Sequence, residues 1–423
     1  MGSACIAALA LAGPAAHAIS FGTFDPRSLA MGGTGVASGT SANAAYVNPA
    51  LLATYNERKE GPQKNSSFYF PVAIAQLSDS VRDVNDIASN NYPSNLASSI
   101  TAFNAAQTPA NAQAVLNVAE PYLNDLRSVS GKPLFVDSNL GLVIGVPGKH
   151  GGAAFIANAR VIGDGDSNIT ATDLQSLDAY TQALTFIATN GAQGAPHPEL
   201  FDANGNLIDP SGTFTSTADA RGLILAEVGV AMASEFRVFG TGLYIGITPK
   251  LQSVKTFDYT ANIGQDRVSV DSSNPEKTSV NFDFGIAKDI NPHWRAGLAV
   301  RDVYPRSFTT TRGNDVDIKP KVRVGVVHSS GNTTLALDAD LTPNEPVGFG
   351  PKTQIIALGG EYSMSAAWKV RAGAAYNIKN SPGLQSYLLS AGLGFAIGDA
   401  RLDFAYAGNS DEKAAALQVG YVF

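Results

Sequence analysis

From about residue 66 to the C-terminus, apolar side chains alternate with small or polar ones in runs of roughly ten residues. Gly, Asn, Asp or Pro separates the runs. In the last run, Leu417, Val419, Tyr421 and Phe423 share one face. Before it, Leu402, Phe404 and Tyr406 alternate with Arg401, Asp403 and Ala405. Earlier still, Leu389, Ala391, Leu393, Phe395 and Ile397 alternate with Ser390, Gly392, Gly394 and Ala396. Fourteen such runs lie near 66–76, 138–147, 152–163, 222–237, 240–256, 277–290, 293–304, 319–329, 332–342, 352–363, 366–378, 386–397, 399–409 and 415–423. The connections carry separate information. PGKHGG follows the second run and VFGTG the fourth, and INPH, SSGN, SMSA and IGDA follow the sixth, eighth, tenth and twelfth. The odd-numbered connections are generally longer, and the first two are very long.

A soluble sandwich hides its apolar face and shows polar residues outside. Here one face is steadily aliphatic and ends in aromatics, while the other mixes Gly, Ala, Ser and charges. Lipid on the apolar side and a polar or filled lumen on the other meet that pattern, and a closed barrel pairs every backbone polar group within the membrane. The sequence therefore predicts an all-β protein, a fourteen-stranded antiparallel transmembrane β-barrel over residues 64–423. Short turns would be periplasmic, long loops external, and both termini periplasmic. Leu393 is expected to point to mid-bilayer, and the inward Gly392 to tolerate serine far better than Leu393 tolerates arginine. The final aromatics, Tyr421 and Phe423, resemble the signal that bacterial barrel assembly machinery reads.

The two long connections, about 77–137 and 164–221, read as helical insertions. Thr108-Pro109 is a helix start, after which Val115, Val118, Tyr122 and Leu126 fall on one face, and Pro121 is expected to kink or break the helix. In the second insertion Thr170 caps a helix with Asp173 three residues on. Leu174, Leu177, Thr181, Leu184 and Ile187 follow at helical spacing, and Asn190-Gly191 ends it. The two helical loops form either an apolar landing groove or a mutual packing that shields the mouth. Asp202-Ala-Asn204-Gly-Asn206 has Gly fourth rather than sixth and Thr213 in the twelfth place, so it reads as a tight turn rather than a calcium loop.

Composition sharpens this picture. The 423 residues are 44% hydrophobic and 15% charged, against about 25% charged in soluble domains. The net charge of -7 gives no footprint for nucleic acid. The front end, MGSACIAALALAGPAAHAIS, has a short apolar run closing on Ala16-His17-Ala18 and reads as a signal peptide over residues 1–18, although no Lys or Arg precedes the run. Cys5 is the single cysteine, so disulfides and thiolate metal sites are not expected in the mature chain.

Residues 29–53, LAMGGTGVASGTSANAAYVNPALLA, contain Gly33-x-Gly35-x-x-x-Gly39. A dinucleotide fold would need a preceding strand, a following helix and a third glycine at another spacing. Arg27-Ser-Leu-Ala-Met-Gly-Gly-Thr-Gly35, Ala44-Ala-Tyr46 and Asn48-Pro-Ala-Leu-Leu52 instead resemble the N-terminal segment of the FadL-like outer-membrane family. The chain looks closest to that family's TraF-type branch, with FVDSNLGLVIGVPGKH at Phe135–His150 as a further shared feature. The resemblance implies a fourteen-stranded barrel and an N-terminal hatch, here residues 19–63, folded inside it. Gly32, Gly33 and Gly35 would let its backbone pack closely, and Asn48, Pro49 and Ala50 would match the family's NPA element. The third run lacks the interior Gly or Pro that kinks the corresponding strand of fatty-acid channels, which weighs against lateral release.

His150, His197, His293 and His328 show no metal-ligand spacing, and no G-x-S-x-G is present. The reading is a non-enzyme with no catalytic residue, metal or cofactor. Arg295, Arg301, Lys321, Arg323, Asp338, Asp340, Lys369, Arg371 and Asp403 all fall on the non-lipid face. Paired, they form a ladder that holds the hatch; unpaired, they set solute preference. The expected function is passage of a small hydrophobic molecule through a hatch-gated lumen. The runner-up is a structural or assembly part of a conjugative transfer or secretion system, with proteins of that system as partners.

Overall fold

The computed structural model of the protein describes residues 21–423 other than 41, 55–65, 81–82, 84–86, 88, 133, 149, 239–240, 265–275, 351 and 380–385. The expected signal peptide and part of the expected hatch lie outside the described residues. The strands are β1 (Ser67–Ser78), β2 (Leu134–Val146), β3 (Gly151–Asn168), β4 (Thr217–Val238), β5 (Thr241–Asn262), β6 (Lys277–Asn291), β7 (Trp294–Arg301), β8 (Arg306–Thr309), β9 (Asp315–Ile318), β10 (Lys321–Ser330), β11 (Thr333–Asp340), β12 (Ile355–Ser363), β13 (Trp368–Asn377), β14 (Tyr387–Ile397), β15 (Ala400–Gly408) and β16 (Glu412–Val422). Fourteen of them form one closed antiparallel barrel in which β1 pairs with β16 and β7 with β10, while β8 and β9 form a separate two-stranded sheet. All fourteen runs of the sequence reading are barrel strands. The β8–β9 hairpin was not anticipated, because four-residue strands are too short to show periodicity.

Side-chain alternation explains the two faces. Leu389, Leu393, Phe404 and Tyr406 are exposed on the outside, while Ser390, Ala405 and Ala407 are buried. Exposed aromatics bound this apolar belt, with Tyr362, Trp368 and Tyr421 toward the short-turn end and Tyr376, Tyr387 and Tyr406 toward the loop end. So large an exposed apolar band is what a lipid surface requires. The rings of Tyr421 and Phe423 stack 6.3 Å apart on this outer face.

The wall is uneven. β4 and β5 have 22 residues each and β3 has 18, whereas β7 has eight and β13 ten. At about 3.3 Å per residue, the β3–β5 side rises well above the rest at the loop end. β3 pairs without a shift along both neighbours, so the wall is continuous there. The irregularity lies elsewhere: β1 shifts register between Tyr69 and Val72 against both β16 and β2. Pro71 has no N–H to donate to the ladder, and Gly420 makes room for the Tyr69 ring beside the shift.

The insertions are helical, with α3 (Tyr92–Ala105) and α4 (Pro109–Val129) in the first and α5 (Ala171–Asn190) in the second. Thr108 caps α4 by accepting from Asn111 N, and Gly191, at φ +85°, ends α5. α4 runs unbroken through Pro121, contrary to a break at that point. Pro121 is exposed, so the carbonyl it leaves unpaired lies on the solvent side, while Ala119, Tyr122 and Leu123 pack beneath it. Thr170 caps α5, but Asp173 does not reach back to it; its carboxylate accepts from Thr215 N and Ser216 N instead. Leu96, Phe103, Val115, Leu126, Leu177 and Ile187 share one core, so the helices spend their apolar faces on one another rather than on an open groove. Asp202 accepts from Asn204 N and Asn206 N, each at 2.8 Å, and these bonds hold its carboxyl below the usual range. The loop is an Asx turn.

Candidate functional site: the barrel interior

Residues 21–54 other than 41 lie against the inner face of the barrel. They contain two further helices, α1 (Pro26–Ala30) and α2 (Ala44–Val47), and a 3-10 helix at Pro49–Ala53. Asp25 organises the first turn, accepting from Ser28 N, Ser28 Oγ and Asn43 Nδ2 at 3.0, 2.7 and 3.0 Å. Asn48 joins three elements. Its Oδ1 accepts from Ala50 N at 3.1 Å, and its Nδ2 donates to Val36 O at 2.7 Å and to Ile286 O of the wall at 3.1 Å. Pro49 sits at the first helical position, where its missing N–H costs nothing.

The wall makes room for this segment by omitting side chains. A β-carbon on Gly246 or Gly285 would strike Asn48, Pro49 or Ala50; on Gly297 it would lie 2.5 Å from Val36 O; on Gly359 or Gly373 it would strike Met31 or Gly32; on Gly392 it would lie 2.5 Å from Ala30 Cβ. These glycines come from β5, β6, β7, β12, β13 and β14, an arc interrupted only by β10 and β11. Gly246 pairs with Gly285 and Gly359 with Gly373. The expectation that Gly392 tolerates serine is therefore corrected: it points inward, but onto packed atoms rather than an open lumen. Gly32 and Gly33 hold φ of +71° and +91°, a region that favours glycine. Gly35 N and Val36 N both donate to Asp338 Oδ2, at 2.8 and 3.0 Å.

Every charged residue proposed for the inner face has a partner there. Arg371 reaches Glu361 at 2.7 Å and Asp403 at 2.6 Å, and Arg27 of the N-terminal segment meets the same Glu361 at 3.0 Å. Lys369 stands 4.0 Å from Glu361 with its side chain 42% exposed. Arg323 bridges Asp340 at 2.6 Å and donates to Gly33 O at 3.1 Å. Arg295 joins Asp289 at 2.6 Å and Thr54 Oγ1 at 3.1 Å. Arg301 donates to Phe21 O at 2.8 Å, and Lys321 reaches Asp302 at 3.0 Å. The sequence reading missed the centre of this network. Lys250, fully buried, lies 2.9 Å from Glu227, 2.9 Å from Asp283 and 2.8 Å from Asp302. With Arg301 and Lys321, three cations face three carboxylates, so the burial is charge-balanced. Arg160, which pairs with Asp137, was missed too. Inward parity on adjacent strands, Glu227 beside Gln252 and Lys250 beside Asn281, was the available signal.

A cavity of about 120 Å³ lies between the N-terminal segment and the short wall, lined by Leu29, Gly33, Arg323, Ile355, Ala375 and Leu388 among others. Two of its polar neighbours are engaged elsewhere: Gln76 with Glu412 at 2.8 Å, and Arg323 with Asp340. Thr23, Thr353, Asn377 and Ser386 also line it, and the larger share of the lining surface is apolar. Among the described residues, no group of three His, Cys, Asp or Glu is placed to hold a metal.

A closed fourteen-stranded barrel with its interior occupied by its own N-terminal segment is a defined class of protein. The same fold is found in the Ralstonia pickettii toluene transporter TbuX (14% identity, TM-score 0.52, 96% of this chain and 99% of that one). It is found also in the deltaS2S3 mutant of the monoaromatic hydrocarbon channel TodX (10%, 0.52, 94% and 98%) and in the monoaromatic hydrocarbon channel CymD (12%, 0.50, 96% and 98%). Among curated proteins none matches. The chain belongs to the family described as F plasmid transfer operon, TraF, protein, whose model matches residues 45–340.

Proposed function

We propose that the protein is an outer-membrane barrel that passes a small apolar molecule through a lumen gated by residues 21–54 acting as a hatch. The carrying observation is the cavity beside Leu29, Ile355, Ala375 and Leu388. Its volume is near that of an engineered apolar cavity of about 150 Å³ known to accept benzene, and Gln76 and Arg323 on its rim are already hydrogen-bonded. The fold shared with hydrocarbon channels supports the reading. The turn end would face the periplasm, with both termini there, and the barrel assembly machinery would read Tyr421 and Phe423. Toluene influx into liposomes carrying the purified barrel tests it: Ala375→Trp, which fills the cavity, should abolish influx while the barrel stays folded. Unchanged influx would remove the cavity from the route.

Family membership favours a second reading, that of a structural or assembly component of conjugative transfer. Under it, Ala375→Trp would leave plasmid transfer intact, whereas loss of the whole protein would abolish transfer.

A further inference from the structure

From Arg160 and Glu227 toward the loop end, the inner face of the tall wall is polar except at one place. A lower tier holds Arg160, Glu227, Lys250 and Gln252, and an upper tier holds Asp164, Arg221, Thr256 and Asp258. Between them Ile162, Leu223, Leu225 and Val254 make an apolar island, adjacent across the strands because Ile162 pairs with Leu223 and Leu225 with Val254. An apolar floor inside a polar rim is the pattern of a small-molecule site. The chain itself covers the island. Phe308 of β8, Val316 and Ile318 of β9, and Val347 of the β11–β12 loop pack on it and are nearly inaccessible.

The cover is held differently from the barrel. Among the described residues β8 and β9 pair only with each other, with no ladder bond to the wall. Two carboxylates of the upper tier fasten it. Asp164 accepts from Gly348 N at 3.1 Å and Phe349 N at 2.8 Å. Asp258 Oδ2 accepts from Thr310 Oγ1 at 2.9 Å and Asn314 Nδ2 at 2.7 Å. Arg221 stacks on the Phe349 ring with its guanidinium 4.7 Å from the centroid. Side-chain fastenings on a loop can release without opening the barrel.

We propose that Ile162, Leu223, Leu225 and Val254 form a binding site for a small apolar molecule, which the β8–β9 hairpin and Val347 occupy in the closed protein. The inserted groups are one aromatic ring and three branched aliphatics, and they set the ligand class: an uncharged hydrocarbon up to about the size of a single ring. The site rests on the passage reading in that it places a first stop at the mouth, above the cavity beside the N-terminal segment.

The test uses the full chain in lipid vesicles, in a Cys5→Ser background so that Leu225→Cys is the single thiol. A water-soluble maleimide should label Leu225→Cys slowly. Adding Asp164→Ala and Asp258→Ala should speed labelling roughly tenfold, the factor for 1.4 kcal/mol of released closure. Toluene should then slow it again by occupying the island. Phe349→Ala, which removes only the ring on Arg221, should give a smaller acceleration. Resistance to heat unfolding checks each variant's barrel. No acceleration in any variant would overturn the cover, and acceleration without toluene protection would leave the island as cover packing only. Toluene influx is measured separately. Protection without influx would defeat the passage reading and keep the site, whereas influx without protection would do the reverse.

Discussion

The two sides of the barrel meet their fillings by opposite means. On the arc from β5 to β14 the wall removes side chains, so its backbone meets the N-terminal segment directly at Gly246, Gly285, Gly297, Gly359, Gly373 and Gly392. Ion pairs then tie the N-terminal segment in, as Arg27 does with Glu361. On the tall side, Ile162, Leu223, Leu225 and Val254 meet a loop through side chains alone. So close a seat releases only by a concerted shift of the segment, because partial shifts create overlaps. Side-chain packing can separate and re-form. Fixed and movable closures thus differ in what sits at the contact: glycine for the fixed one, branched aliphatics for the movable one.

The largest effect should come from the charge centre between the two fillings, above the seat of Pro49 and Ala50 at Gly246 and below Val254. Lys250→Met leaves Glu227, Asp283 and Asp302 without their shared cation and should cost about 3–5 kcal/mol. Lys369→Met, at a long and partly exposed pair, should change stability by less than about 1 kcal/mol. Urea unfolding in lipid vesicles measures both, and equal effects would mean that the interior is hydrated rather than packed.

Leu393→Arg, on the lipid face at the height of the glycine arc, should cost about 2–4 kcal/mol in the same assay. The neighbouring Gly392→Ser should cost nearly as much through overlap with Ala30, about 1–3 kcal/mol. A harmless Gly392→Ser would show the N-terminal segment to be loosely seated. A cleaner pair follows. Gly359 faces Met31, while Gly360, one residue on, has only the Leu335 side chain within 3.4 Å. Gly359→Ala should cost about 1–3 kcal/mol and Gly360→Ala much less. A reversal would put the wrong face of β12 inward.

Much of this was legible in the sequence. Period-two alternation and the parity of short turns located all fourteen barrel strands, since each strand contributes its own signal and lipid punishes a slipped register. The charges at Arg301, Arg323 and Arg371 were legible as inward positions by the same parity. Asp340 and Asp403, which partner Arg323 and Arg371, were legible in the same way, but the pairings were not, because Glu361 meets Arg27 across 334 positions and alternation says nothing about which residues lie level around a closed wall. The glycines were visible as an inward mixture, but their role was not. An absent side chain marks either empty space or close contact, and only the position of residues 21–54 decides between them. β8 and β9 escaped because two four-residue strands carry no period, and the Pro71 irregularity was hidden within a run that otherwise alternates.

The smallest effect tests the comparison most directly. Asn48 is the cap of the 3-10 helix at Pro49–Ala53 and its amide also holds Ile286 O of β6. Asn48→Ala should cost about 0.5–2 kcal/mol, as loss of a capping side chain does. The fold should persist, because Gly285 and Gly246 still enclose Pro49 and Ala50 from the wall side. Since the segment is held by backbone contact on an arc of strands, losing one cap should loosen it locally and raise ion conductance in planar bilayers only slightly. Asp164→Ala with Asp258→Ala removes the fastenings of a loop that has no ladder bond to the wall, and should raise conductance more. If Asn48→Ala gives the larger rise, the glycine-lined contact is the movable one, and residues 21–54 gate by leaving their seat rather than by narrowing the path beside it.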